Sequence, residues 1–481
     1  MQPSIDARVI DLGHGDWSGD DLPPRPRWRM PTWVAVLLAM AAVLAGLVTS
    51  RPPRPDVDGP LWTADGEVRN VIDGRVYLAP WPDYGSTTPP KSPTLVVRDV
   101  RTGAVLWRYE PDRSLQSVAD LGAGLVGLTE ATIGSLQADA VTRVVDAATG
   151  TTIGTVPGEP MGMVPGTGVV IFQQPLQGAT RERCHQDSFC ADVVGINVRT
   201  GVDVWRQPAR VDAEPMFGWD QRGLTTFGLL DESGRVTQLD LATGRVLHVR
   251  DVPGWQGGAP AQYTTSGRLS LVDDYLIEQV RDVDDVGINR SITYSALALV
   301  DGRTWSLPLP AGTAADAGPA YLAACGRWIC AFHERKSTII DPETGRVMAE
   351  RETWVTDLGY PGIIGWSVAR DTFNPTAGPS GLMLFDPVRR VTTGHVPGEA
   401  NQVLARPGSR TLAIVNRPPP LGYDIYAIDP SGTVTLITTI GRVGFCFPSQ
   451  DLLVCSLDDP NGVGGRSPQG VSVWSLPPDP A

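Results

Sequence analysis

The amino-acid sequence predicts an all-β chain built from one four-stranded unit used eight or nine times, behind a single N-terminal membrane-spanning helix. Three observations carry this. A short pattern of apolar run, Asp or Asn, turn and second apolar run returns nine times, at intervals of 47, 51, 43, 61, 40, 45, 43 and 46 residues. Such a period marks a repeat architecture. Helical 3.6-residue periodicity is absent after residue 50, where Gly and Pro punctuate the chain throughout. One uncharged apolar run, Trp33 to Val48, stands apart near the N-terminus.

In chain order, residues 1–31 read as a polar, disordered cytoplasmic tail. Within it, Val9-Ile-Asp-Leu-Gly13 has a second reading as a docking peptide for a cytoplasmic partner. Residues 32–50 give 19 residues without charge, close to the roughly 20 needed to cross a bilayer. Arg25, Arg27 and Arg29 precede this run and Arg51 and Arg54 follow it. The bias places the N-terminus in the cytoplasm and the remainder outside. An uncleaved anchor fits better than a signal peptide, because the lead is long and Val48-Thr-Ser50-Arg51 is a poor cleavage site. The Pro-rich stretch 51–60 is a semi-extended linker, and the repeats fill 61–481.

The clearest repeats start at Asp99, Asp146, Asn197, Asp240 and Asp341, with turn glycines at Gly103, Gly150, Gly201, Gly244 and Gly345. Weaker copies start at Asp301, Asp386, Asp429 and Ser475. Gly reaches positive φ freely, and an Asx side chain accepts hydrogen bonds from the turn backbone. One or two strand-like runs precede each anchor, so each unit reads as four short strands, one blade of a β-propeller. The last copy has no room for its fourth strand, which Leu61-Trp62 near the start is placed to supply. That closure would remove the exposed edges.

These units resemble the pyrroloquinoline-quinone-type repeats of quinoprotein-like β-propellers, whose pattern is Asp, two residues, Thr-Gly, three residues, Trp. Asp99, Thr102, Gly103 and Trp107 match it fully; Asn197, Thr200, Gly201 and Trp205 match with one change. Elsewhere the Trp position holds Gly154, His248 or Ala349. The resemblance implies docking between blades by Trp and, in most of the family, eight blades; the spacing here gives nine. With two Lys against 38 Arg pointing to a GC-rich genome, the chain looks like a membrane-anchored member of actinobacterial type.

The family's dehydrogenases hold a quinone against two adjacent cysteines, above a calcium ion and a catalytic Asp. Here no two cysteines are adjacent, and neither a matching carboxylate set nor a haem-attachment motif is present. No catalytic or cofactor-binding residue and no cofactor is therefore assigned. The family's lipoprotein that assists outer-membrane protein assembly has a lipid-attachment Cys that is missing here.

The six cysteines form three close pairs, Cys184 with Cys190, Cys325 with Cys330 and Cys446 with Cys455. The spacings suit local disulfides in an oxidising compartment, while none provides the ligand set of a zinc site. Asp282, Asp284, Asp285 and Asn289 are weak calcium candidates in the longest interval, short of the six to eight oxygens required. A net charge of −13 disfavours nucleic acid as a partner. The expected function is a non-catalytic binding or scaffold module outside the cell membrane, with a protein or envelope ligand on a propeller face. The alternative is an extracytoplasmic enzyme, quinone-dependent or acting on glycans.

Overall fold

Apolar runs broken by Gly and Asx turns fold here into thirty-six strands, paired as nine antiparallel sheets of four among the described residues. The computed structural model describes residues 59–79, 94–132, 139–175, 191–208, 213–220, 223–255, 269–283, 289–310, 321–325, 327–333, 336–351, 354–358, 364–368, 381–398, 400–404, 410–416, 422–441, 443–457 and 470–476. All belong to one compact unit, Pro55–Ala481. Residues 1–58, with the expected tail, anchor and most of the expected linker, lie outside them. Among the described residues no helix is long and apolar enough to cross a membrane.

Each of the first eight sheets is a meander of four consecutive strands. They span 67–109, 114–157, 159–207, 213–251, 269–310, 321–351, 354–397 and 400–440. The ninth takes three strands from the C-terminal end, Cys446–Ser449, Leu452–Leu457 and Gly470–Ser475. Its outer strand comes from the other end of the unit. Trp62–Asp65 pairs antiparallel with Gly470–Ser475, Trp62 opposite Val473 and Asp65 opposite Gly470. Leu61 N–H extends the ladder to Val473 O at 2.7 Å. The strand expected from Leu61-Trp62 is thus in place.

Each sheet's first strand lies against its neighbour, and Glu67–Ile72 of the first sheet packs against the ninth. Sheets in cyclic succession, each an up-and-down meander, make a β-propeller. Burial runs from inside out. The second strands are mostly apolar and buried, as in Leu125–Ala131 and Thr411–Asn416. The outer strands, such as Val105–Tyr109 and Val246–Asp251, are mostly exposed.

The core therefore sits between sheets. Tyr77, Leu95 and Val97 meet Leu115, Val126 and Leu128 across the first gap. Val68, Val76 and Leu78 meet Val454, Val471 and Val473 across the gap where the ring closes. Each buried side chain of this size contributes about 1.5–3 kcal/mol. Two disulfides staple single sheets, Cys325–Cys330 and Cys446–Cys455; Cys184 and Cys190 lie outside the described residues.

Candidate interaction faces

Antiparallel meanders put alternate connectors at opposite ends of the strands, and here the two ends differ. Connectors between first and second strands, and between third and fourth in the eight meanders, hold two to six residues. Those at the other end include 80–94, 176–190, 252–268, 369–380 and 458–469. One end is thus a set of tight turns, and the other carries every long connector.

The tight turns between third and fourth strands are the repeat found in the sequence. In the first sheet, Asp99 Oδ1 accepts from Thr102 N at 2.8 Å, Thr102 Oγ1 at 2.8 Å and Arg101 N at 3.1 Å. Gly103 closes the loop at φ 69°, its N–H donating to Asp99 O. Asp146 accepts in the same way from Ala148 and Thr149, Asn197 from Arg199 and Thr200, and Asp240 from Thr243. Asp341 accepts from Glu343 N and Thr344 Oγ1. These donors hold the Asp99 and Asp146 carboxyls below the usual carboxylate range, the Thr102 and Thr149 N–H groups contributing most.

Against these turns dock tryptophans from the preceding outer strand. Trp107 Nε1 donates to Ala147 O at 2.9 Å, and Trp205 Nε1 to Leu241 O at 2.9 Å. Two more make the same bond, Trp62 to Val100 O and Trp305 to Pro342 O, both at 2.8 Å. Every ring lies flat on the turn glycine. A Cβ on Gly103, Gly150, Gly244 or Gly345 would approach the indole to between 2.4 and 2.8 Å. Gly201 has no such neighbour within 4 Å, in keeping with Gly154 at the docking position before it.

The repeat pattern does not mark Trp62 and Trp305, for different reasons. Trp62 precedes the first turn motif and belongs to the ninth sheet. The turn before Trp305 begins at Ala298, three residues ahead of Asp301: Gly302 N–H donates to Ala298 O and Ala298 N–H to Arg303 O. Other interfaces use substitutes. Arg250 donates to Val300 O at 2.8 Å, two residues beyond His248. Arg390 takes the glycine slot at φ 56° and reaches back to Val347 O at 3.4 Å. At Gly394 the next turn packs directly on backbone, since a Cβ there would meet Gly432 O at 2.4 Å.

One buried acidic group was not foreseen. Glu130, in the apolar strand Leu125–Ala131, accepts from Arg143 Nε at 3.1 Å, Arg113 N at 3.2 Å and the Tyr109 hydroxyl. Arg143 also pairs with Asp112, and Arg113 donates to Asp139 O at 2.9 Å. Burial pushes the Tyr109 hydroxyl up, and its bond to Glu130 adds to this. The network fastens the 110–113 connector to the second sheet. An acid inside an otherwise apolar strand was its one signal in the sequence.

Two clefts remain. One of about 330 Å³ lies on the fifth sheet, lined by Val252, Pro253, Leu276, Glu278, Ser295 and Trp305 among others. The other, about 240 Å³, is polar and sits among the turns of Asp73, Asp99, Arg101 and Gln450. Among the described residues no three His, Cys, Asp or Glu side chains converge to hold a metal. Asp282 lies opposite Ser291 and Asn289 opposite Val283 in one strand pair. The side chains of Asp282 and Asn289, and the whole of Asp284 and Asp285, lie outside what is described.

No family model and no curated protein matches the chain. Solved structures that resemble it include a eukaryotic initiation factor, at 14% identity and TM-score 0.48, covering 80% of this chain and 91% of that one. BamB from Moraxella catarrhalis is 15% identical at TM-score 0.35, covering 86% and 97%. The quinohemoprotein alcohol dehydrogenase of Comamonas testosteroni is 14% identical at TM-score 0.36, covering 87% and 76%. The propeller assignment rests on the sheet pairing described above, and these likenesses carry no function over.

Proposed function

We propose that the chain is a single-pass membrane protein whose nine-bladed extracytoplasmic propeller is a non-catalytic binding platform. The observation that carries this is the division of connectors between the two ends of the strands. Long connectors on a rigid scaffold are where binding residues concentrate. The tight-turn end is committed to holding the ring together through Asx turns and docked tryptophans. The partner, a protein or an envelope component, engages the connector-bearing end.

Nine sheets in cyclic contact support the blade count, and two disulfides support an oxidising location. The uncharged run 32–50, with more Arg before it than after, supports the anchor and its orientation. The test is photo-crosslinking in native cells from single positions at the two ends. Glu232, in the connector 232–234, represents one end and Asp273, in a tight turn, the other. The expected result is one discrete adduct from Glu232 and none from Asp273; equal yields from both would refute the assignment. A reporter enzyme active only outside the cytoplasm, fused after residue 481, checks the orientation and should be active.

A further inference from the structure

In seven of the nine sheets the third and fourth strands fall out of register by one residue, next to the turn. The bulge turns the following residue, the docking position, inward toward the next sheet. The bulged residue itself is thrust outward at the rim. In four consecutive sheets that residue is large and apolar: Leu106, Ile153, Val204 and Leu247, at 43, 53, 45 and 49% exposure. Leu61, immediately before the docked Trp62, holds the same place on the ninth sheet at 52%.

Five adjacent sheets thus each set an exposed apolar residue at the same place near the turn-bearing end, an arc of one per sheet. Apolar residues scattered singly need no explanation, but a run at one repeat position does. Val105, Val202 and Val246 widen it, each more than a third exposed. The corresponding residues of the sixth and eighth sheets, Met348 and Ile437, are half-buried, and the seventh has Thr393. The arc is therefore one-sided.

We infer that this arc rests on the surface of a phospholipid bilayer. Two observations point to lipid as the occupant. First, the polypeptide enters the ring at the arc's own end: Leu61 is a member of it, and only residues 51–60 separate it from the uncharged run 32–50. Ten residues reach at most about 35 Å, which holds the arc near the membrane at an effective concentration in the millimolar range. A contact too weak to recruit a free protein is then saturated. Second, the turns beside the arc present exposed Arg199 and Arg245, whose long stems can follow apolar surface while their charges stay at head-group level; Arg101, at the equivalent place, pairs with Asp451. The chain's net charge of −13 opposes free attraction to anionic lipid, so the contact is apolar and depends on the tether. The inference rests on reading residues 32–50 as a membrane anchor. It also turns the connector-bearing end outward, where a partner has access.

The test uses the full chain in phosphatidylcholine nanodiscs, with a nitroxide on Ile153→Cys or Leu247→Cys and a control on Glu232→Cys. Power-saturation electron paramagnetic resonance reads collisions with oxygen, enriched in lipid, and with a nickel chelate, confined to water. The expected oxygen-to-nickel ratio is several-fold higher at 153 and 247 than at 232. Val204→Asp together with Leu106→Asp should return position 247 to the control value. Water-like ratios at 153 and 247, in a chain that resists carbonate extraction from its membrane, would overturn this inference and leave the anchor standing. Extraction by carbonate would overturn both.

Discussion

Replacing Trp62 by Ala should open the ring at one place, and the structure sets the size of the effect. The indole lies on Gly103, packs with the Val68, Val76, Val471 and Val473 cluster and donates a 2.8 Å hydrogen bond to Val100 O. Truncating a fully buried Trp costs about 3–5 kcal/mol. Trp62 is half-buried, which brings the packing loss to about 2 kcal/mol, and the lost hydrogen bond adds about 1 kcal/mol. The outer strand it belongs to has four residues and is held elsewhere by its ladder with Gly470–Ser475 and by Ala64 against the same cluster.

A loss of about 3 kcal/mol at the seam should therefore raise amide exchange in 470–475 about 100-fold. Strands on the far side of the ring, such as Leu269–Val272, should exchange as before. Trp62→Phe keeps most of the packing and removes the donor, so it should lose only about 1 kcal/mol. Hydrogen-exchange mass spectrometry checks both. Exchange in 470–475 no faster than in a Leu61→Ala control would refute the view that docked tryptophans close the ring.

Three further outcomes follow from the same interfaces. The Asp99 and Asp146 carboxyls are held below their ordinary range, so the stability they confer is complete above about pH 4 and is lost as pH falls through their folded values. Asp99→Asn with Asp146→Asn keeps acceptors like Asn197, so urea midpoints between pH 5 and pH 2 should fall less steeply than in the parent chain. Gly394→Ala puts a Cβ at 2.4 Å from Gly432 O and should lower stability by about 1–3 kcal/mol in urea titration, where Gly154→Ala, with open space around it, should not. Cys446→Ser with Cys455→Ser removes a link across nine residues of sequence, which loop-closure entropy values at roughly 2–3 kcal/mol; the thermal midpoint should drop and become insensitive to reductant at that sheet.

The repeat was legible because its turns depend on residue chemistry that few alternatives satisfy: an Asx acceptor, a Thr hydroxyl and a glycine at positive φ. Where the backbone found another solution, the pattern broke. Ala298 starts its turn with no Asx acceptor at the first position, Asp301 accepting from Arg303 N–H further along instead, so the motif around Asp301 is read three residues late and Trp305 is missed. Arg390 occupies a left-handed position usually left to glycine. Gly394 replaces an aromatic dock with direct backbone approach, a contact that only three dimensions reveal. The Glu130 network joins residues brought together by neighbouring sheets, and no spacing rule links Tyr109 to Arg143. The rim arc is subtler. Its members sit beside the docking position in every copy, yet whether such a residue faces solvent or core depends on a one-residue bulge, which apolar patterning does not show.

The pairing of Trp62 with Val473 has a consequence for how the protein is made. Synthesis delivers Trp62–Asp65 early, and its partner Gly470–Ser475 comes only after the eight intervening sheets. Until then both the free strand and the first sheet's open flank are unprotected against other chains. Contacts this distant in sequence form slowly. Closure is therefore the last step of folding, and the interval before it is when a growing chain is most exposed to mispairing with its neighbours.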